Sequence, residues 1–152
     1  MTMRRASTLL VCALVFGSIA ALAQTGKKPD RIVAVLHPTN PSLELSDADM
    51  KNIFLGRKKT WSDGTPLRPF MRPHQRPAGH ELLRAILKMT PARFRQHWAA
   101  LELSGQGTTP KALATPSEVA ARVGAAKGGI SFVTEAEASA LGTQVKVVRI
   151  KY

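Results

Sequence analysis

Short apolar runs rich in β-branched residues alternate along this chain with segments that carry helix-start signals, and this alternation constrains the fold most strongly. The run Arg31–Leu36 (RIVAVL) is cut off by His37-Pro38 and predicts a buried first strand. Further strands are predicted at Leu67–Met71, Ile130–Val133 and Val145–Ile150. Alternating strands and helices predict an α/β domain with a small mixed sheet.

Capping residues and apolar periodicity predict the helices. Ser46, with Asp49 three residues later, matches a capping box at the start of the first helix. A second helix is predicted near Gly79. Its apolar stripe is expected to comprise Leu82, Leu83, Ile86 and Leu87. Thr90-Pro91 and Thr115-Pro116 each join an N-cap residue to a first-turn proline, which predicts two more helix starts.

The N-terminal segment is typical of a secretory signal. Arg4 and Arg5 precede an uncharged apolar run that extends to Ala23 and closes on Ala21-Leu22-Ala23. We therefore predict Sec export to the periplasm with cleavage after Ala23, a flexible leader over residues 24–30 and one domain over residues 31–152. A retained membrane anchor is the alternative, because a run of about 18 residues is close to the lower limit for a spanning helix.

The charge of the chain favours anionic partners. It contains 22 Lys and Arg against 10 Asp and Glu, which gives a formal charge of +12. Nucleic acid is not expected as a partner, because the predicted export separates the protein from it and aromatic side chains for base stacking are sparse. The single cysteine, Cys12, lies in the predicted signal, so the exported domain is expected to have no disulfide and no cysteine metal site.

Catalytic and cofactor patterns are missing from the sequence. There is no G-x-S-x-G elbow, and the glycine-rich loop lacks the G-x-x-x-x-G-K-[ST] pattern of nucleotide-binding loops. The histidines His37, His74, His80 and His97 have no metal-ligand spacing. We therefore expect a non-enzymatic protein without a cofactor or a bound metal.

Three polar loops are candidates for an anion site. In open α/β sheets, ligands collect beyond the carboxyl ends of strands, where backbone N–H groups point outward. The candidate ligands are Thr39 and Asn40 in the first loop, Arg72, His74, Arg76, Gly79, His80 and Arg84 in a second, and Ser104, Gly105, Gly107, Thr108 and Thr109 in a third. The alternative is that all three loops are ordinary polar connections.

The pair Ile53-Phe54-Leu55-Gly56 and Trp61-Ser62-Asp63-Gly64 resembles the opening of phosphate-binding proteins of the periplasmic binding protein class. Weaker matches extend the resemblance over roughly Ile32 to Val148, and the chain is similar to small stand-alone, phosphate ABC transporter substrate-binding-like members of that superfamily. The resemblance implies a type II binding-protein fold, here a single small lobe with a mixed β-sheet flanked by helices. It also implies a periplasmic location and an anion-binding role, with Thr39 and Asn40 as matched loop positions.

The leading prediction is periplasmic binding of phosphate or a related anion without catalysis, with a membrane transporter, a porin or a sensor protein as candidate partners. The alternative is a ligand-free interaction module whose basic cluster Arg57-Lys58-Lys59 docks an acidic protein partner. The stretch Arg76–His80 lacks the Ser or Thr that phosphate binders carry at the matching helix start, which favours the module. The hydroxyl-rich loop Ser104–Lys111 favours the binder.

Overall fold

The computed structural model describes residues 30–152, so the predicted signal peptide (1–23) and the predicted leader up to residue 29 lie outside the described residues. The elements are, in chain order, β1 (Ile32–Leu36), β2 (Glu44–Ser46), α1 (Asp47–Phe54), β3 (Arg68–Met71), α2 (Pro77–Glu81) continuing as a π-helix (Leu82–Leu87), α3 (Pro91–Leu103), β4 (Lys111–Ala112), α4 (Pro116–Ala125), β5 (Gly129–Thr134), α5 (Glu135–Ala138), a 3₁₀ turn (Gly142–Gln144) and β6 (Lys146–Lys151).

The six strands form one mixed sheet in the order β2-β6-β1-β5-β3-β4. β1 runs antiparallel to both of its neighbours, β5 and β6. β2 is parallel to β6, while β3 is parallel to both β5 and β4. Five strands therefore point the same way and β1 alone opposes them, which confirms the predicted mixed sheet and decides at which edge each loop lies.

The sheet is covered on both faces because the side chains of its central strand alternate between two cores. All five residues of β1 are buried. Ile32, Ala34 and Leu36 pack into one core with α1, the π-helix and α3. Val33 and Val35 pack into the other core with α4. The structure thus confirms the predicted sheet flanked by helices.

The predicted helix starts are confirmed at the level of single hydrogen bonds. Ser46 and Asp49 form the reciprocal capping box of α1. Thr90 and Thr115 accept hydrogen bonds from the backbone three residues later and cap α3 and α4. A further capping box, between Thr134 and Glu137, starts the short helix α5, which the sequence analysis did not predict.

The helix expected near Gly79 is present, and its four predicted core residues, Leu82, Leu83, Ile86 and Leu87, are all buried. Its second half is a π-helix that ends at Lys88, a residue in the left-handed conformation with φ of 53°. Glycine commonly occupies that conformation at a helix end. The strands β2 and β4 were not predicted, because runs of three and two residues are too short to show alternation.

Candidate functional site

The loop after β1 uses its predicted ligands to hold its own conformation. The Nδ1 atom of His37 lies 2.8 Å from the Thr39 hydroxyl and 3.2 Å from the Thr39 backbone nitrogen, which donates to it. Asn40 is buried; its Oδ1 accepts a hydrogen bond from the Ser42 N–H at 2.9 Å, and its carbonyl accepts one from Lys146 Nζ at 3.0 Å. These groups are therefore bonded within the protein.

The direction of β1 separates this loop from the second candidate loop. Because β1 opposes the other strands, Thr39 and Asn40 lie at the edge where β5 and β6 begin. Arg72 follows β3, whose carboxyl end lies at the opposite edge of the sheet. The structure does not bring these two loops together.

Arg72 is buried and already holds an anionic partner, the carboxylate of Glu137. The Nη2 atom of Arg72 donates to Glu137 Oε1 at 2.7 Å, and Nη1 donates to the Leu113 carbonyl at 3.0 Å. The other carboxylate oxygen of Glu137 accepts from the Thr134 N–H at 3.1 Å. The Arg72 side chain is 1% exposed, and its Nε has no acceptor among the described residues. This arrangement joins the end of β3 to the end of β5.

The other predicted residues of the second loop have separate surroundings. Arg76 and His80 are exposed. Arg84 donates to both oxygens of the buried Glu81, with its Nη2 2.9 Å from Oε1. Gly79 is buried, and a Cβ on it would lie 2.2 Å from the Pro73 carbonyl oxygen. Glycine is required there by close backbone packing.

Most backbone donors of the glycine loop, residues 104–110, are bonded within the loop and its helix. The N–H groups of Ser104, Gly105 and Gln106 donate to carbonyls in the last turn of α3. The N–H of Thr109 donates to Glu102 Oε1 at 2.7 Å, and hydrogen bonding from Thr109 lowers the pKa of this carboxyl. The loop is therefore closed back onto the end of α3.

Two backbone donors of the glycine loop are left over. The N–H groups of Gly107 and Thr108 have no acceptor in the part of the chain that the structure describes. Both residues line a cleft of about 270 Å³ that reaches the buried Trp98, and we call it the Trp98 cleft. Its lining consists of Ile53, Gly56, Lys58, Lys59, Leu67, Pro69, Trp98, Gln106, Gly107 and Thr108.

The Trp98 cleft carries positive charge. The Lys59 ammonium donates to the Gln106 carbonyl, which fixes it at the glycine loop. An ammonium has three N–H donors, so this contact leaves two for a ligand. Lys58 forms an ion pair with Asp49 at 3.4 Å while its side chain stays 38% exposed. Within residues 30–152, no Asp or Glu lines the cleft.

The structure thus brings Gly107 and Thr108 of the predicted ligands into one cleft, and adds Lys58 and Lys59. The sequence predicts these lysines only as part of the basic cluster Arg57-Lys58-Lys59 for a protein partner. The sequence shows both lysines in the turn that follows Gly56. It does not show the contact between Lys59 and Gln106, because these residues are 47 positions apart. Ser104 and Gly105 lie in the same loop but do not line the cleft.

Residues 30–152 contain neither a candidate metal-binding cluster nor a candidate membrane-spanning helix. No group of His, Cys, Asp and Glu side chains there is arranged to hold a metal ion. No helix in the same range is long and apolar enough to cross a membrane.

Comparison with known proteins supports the fold. No protein-family profile matches the sequence, and no curated protein matches it. Among solved structures, PstS from Borrelia burgdorferi matches 81% of this chain with a TM-score of 0.62 and 10% identity. A Clostridium perfringens protein, assigned to the phosphate ABC transporter substrate-binding class and solved with bound phosphate, matches 80% with a TM-score of 0.58 and 15% identity. An ABC-type phosphate transport receptor from Vibrio cholerae matches 80% with a TM-score of 0.53 and 13% identity.

These matches confirm the predicted binding-protein-like α/β fold and the predicted resemblance to phosphate ABC transporter substrate-binding proteins at the level of structure. The chain covers 49%, 45% and 46% of the three solved structures, respectively. It therefore spans less than half of their length.

Proposed function

We propose that this protein is a non-enzymatic binding domain for phosphate or a related anion, and that the Trp98 cleft holds the anion. The observation that carries the proposal is the group of unsatisfied donors at one place. The N–H groups of Gly107 and Thr108 face no internal acceptor, and the Lys59 ammonium is anchored beside them.

The chemistry of the cleft suits an anion. Hydrogen bonds from a charged donor to an anionic acceptor are roughly twice as strong as neutral ones. The apolar side chains of Ile53, Leu67 and Trp98 displace water from one side of the donors, which strengthens their electrostatic interaction with a ligand. A second lysine, Lys58, adds positive charge at the same rim.

The same lining supports binding without catalysis. Proton transfer in an active site is most often carried out by a histidine or a carboxylate within hydrogen-bond reach of the substrate. In the part of the chain that the structure describes, neither residue type lines the Trp98 cleft. The cleft thus offers donors and charge, which hold an anion, but no ordinary general base.

The solved structures add independent support, because a protein from C. perfringens with this fold contains bound phosphate and another from V. cholerae is a phosphate transport receptor. Within this proposal the protein is exported to the periplasm, is cleaved after Ala23 and folds over residues 31–152. A membrane transporter component is the candidate partner. Of the predicted ligands, Gly107 and Thr108 belong to the proposed site. Thr39 and Asn40 are assigned structural roles because they form hydrogen bonds within their own loop, and Arg72 because its guanidinium already pairs with Glu137.

Isothermal titration with inorganic phosphate at low ionic strength, with sulfate as the comparison, tests this proposal. Lys59→Gln is expected to weaken phosphate binding about tenfold, since it removes a charged donor. Arg122→Gln is the matched control: it removes one positive charge from α4, which packs on the opposite face of the sheet. Equal affinities for the Lys59→Gln variant and the parent would contradict the site. Thr39→Ala tests the loop after β1 as an alternative site. A loss of phosphate affinity in this variant would place the anion in the His37–Asn40 loop and not in the Trp98 cleft.

A further inference from the structure

We infer that the Trp98 cleft selects an organic anion, in which a phosphate or another acidic group is attached to a single ring or a short hydrocarbon chain. This inference rests on the proposed anion site and concerns the part of the ligand that the lysines do not contact. It follows from the floor of the cleft, which is apolar, whereas the donors lie at its rim.

The floor is a rigid apolar surface. It is formed by Ile53, Leu67, Pro69 and Trp98. The indole N–H of Trp98 donates to the Phe54 carbonyl at 3.2 Å, and its ring packs edge-on against Phe94 with centroids 6.4 Å apart. The indole, which is 3% exposed, is therefore held in place before any ligand arrives. The accessible apolar surface beside it belongs to the half-buried Leu67 and Pro69.

Two glycines pack closely against the ring edge of Trp98, which is 3% exposed. A Cβ on Gly56 would lie 3.0 Å from Trp98 Cη2, and a Cβ on Gly107 would lie 3.2 Å from Cζ3. Gly56 has a φ of +70°, so its backbone conformation alone favours glycine. Gly107 has no such positive φ, and what a side chain there would meet is the indole. A side chain at Gly107 would therefore press on the indole and narrow the cleft beside it.

The size of the cleft limits the ligand. Pockets for drug-sized ligands range from about 300 to 1,000 Å³, and this cleft is about 270 Å³. It has room for one ring or a short chain together with its acidic group. Leu67 and Pro69 are half-buried, so an inorganic anion at the rim would leave their apolar surface in contact with water. An organic anion covers that surface and gains the free energy of apolar burial.

Phenyl phosphate and methyl phosphate are the probes, because they share the same head group and differ in the apolar body. Burying one face of a phenyl ring, about 60 Å² of apolar surface, corresponds to about tenfold tighter binding. Isothermal titration of the protein is therefore expected to give a dissociation constant for phenyl phosphate about tenfold below that for methyl phosphate. Equal constants for the two compounds would overturn the inference.

The position of the ring is tested by two-dimensional NMR of the unmodified protein. The sequence contains two tryptophans, Trp61 and Trp98, so two indole N–H resonances are expected. Phenyl phosphate is expected to shift the Trp98 resonance and leave that of Trp61 in place, while methyl phosphate moves neither strongly. A shift confined to Trp61, or no shift at saturation, would place the ring elsewhere and overturn the inference.

Gly107→Leu provides the matched variant, because its side chain occupies part of the cleft while the backbone N–H is retained. The ratio of the two dissociation constants is expected to fall from about ten to near one. An unchanged ratio would contradict the inference. The proposed anion site fails in a different way: neither compound then saturates the protein, or Lys59→Gln leaves both affinities unchanged.

Discussion

The buried ion pair between Arg72 and Glu137 supplies a direct test of the structure. Glu137→Ala removes a carboxylate that accepts from Arg72 Nη2 at 2.7 Å and from the Thr134 N–H at 3.1 Å. The Arg72 side chain is 1% exposed, and a guanidinium does not lose its charge in a protein. The variant therefore leaves a buried positive charge without its counter-ion.

The structure sets the expected size of the effect. Removing one partner of a buried ion pair costs about 3–5 kcal/mol. The Glu137 side chain is 27% exposed, so water can enter the space that the carboxylate vacates. We therefore take the lower end and expect the free energy of unfolding to fall by about 3 kcal/mol. For a domain of this size, the corresponding fall in Tm is roughly 10 °C.

Urea unfolding followed by circular dichroism measures this difference. Glu135→Ala is the control, because it removes the same charge from an exposed position of the same helix, and a change within about 0.5 kcal/mol is expected. The double variant Arg72→Met/Glu137→Leu is expected to recover most of the loss, since apolar residues often replace a buried pair at little cost. A loss below about 1 kcal/mol for Glu137→Ala, the size typical of a surface pair, would refute the reasoning.

The remaining predictions concern two glycines and a helix cap. Gly128→Ala is expected to cost about 2 kcal/mol or more in urea unfolding, because its Cβ would lie 1.8 Å from the Pro66 carbonyl oxygen. Gly64→Ala, which meets no atom within 4 Å but has a positive φ, is expected to cost about 1 kcal/mol. Asp49→Asn is expected to destabilise the protein at neutral pH, since hydrogen bonding from Ser46 holds the pKa of Asp49 below its ordinary value of 3.8. A carboxyl with a lowered pKa stabilises the fold above its unfolded value and loses that contribution as the pH falls through the folded value. The difference in Tm between this variant and the parent should therefore shrink as the pH falls through the folded value, which lies below 3.8, and a constant difference would contradict the assignment.

Local interactions explain why much of the fold could be predicted from the sequence. A capping box or an N-cap threonine acts within three residues, so Ser46, Thr90 and Thr115 could each be identified without knowing the rest of the structure. The apolar run of β1 and the apolar stripe from Leu82 to Leu87 likewise predict from the sequence which residues are buried. The missed strands β2 and β4 are short and depend on pairing with distant strands. The helix α5 was missed although its capping residues, Thr134 and Glu137, are three residues apart, because four residues are too few to show a helical period.

The same distinction between local and distant interactions applies to the candidate site. The sequence by itself determined that the glycine loop offers backbone donors and that a basic turn follows Gly56, because both are properties of consecutive residues. Only the tertiary structure decided that Lys59 meets that loop over the indole of Trp98, and that Glu137 occupies the guanidinium of Arg72. It also decided that Thr39 lies at the opposite sheet edge from Arg72, because strand direction is set by pairing between distant segments. Contacts across 47 and 65 residues depend on how the sheet and helices pack, and no local spacing encodes them.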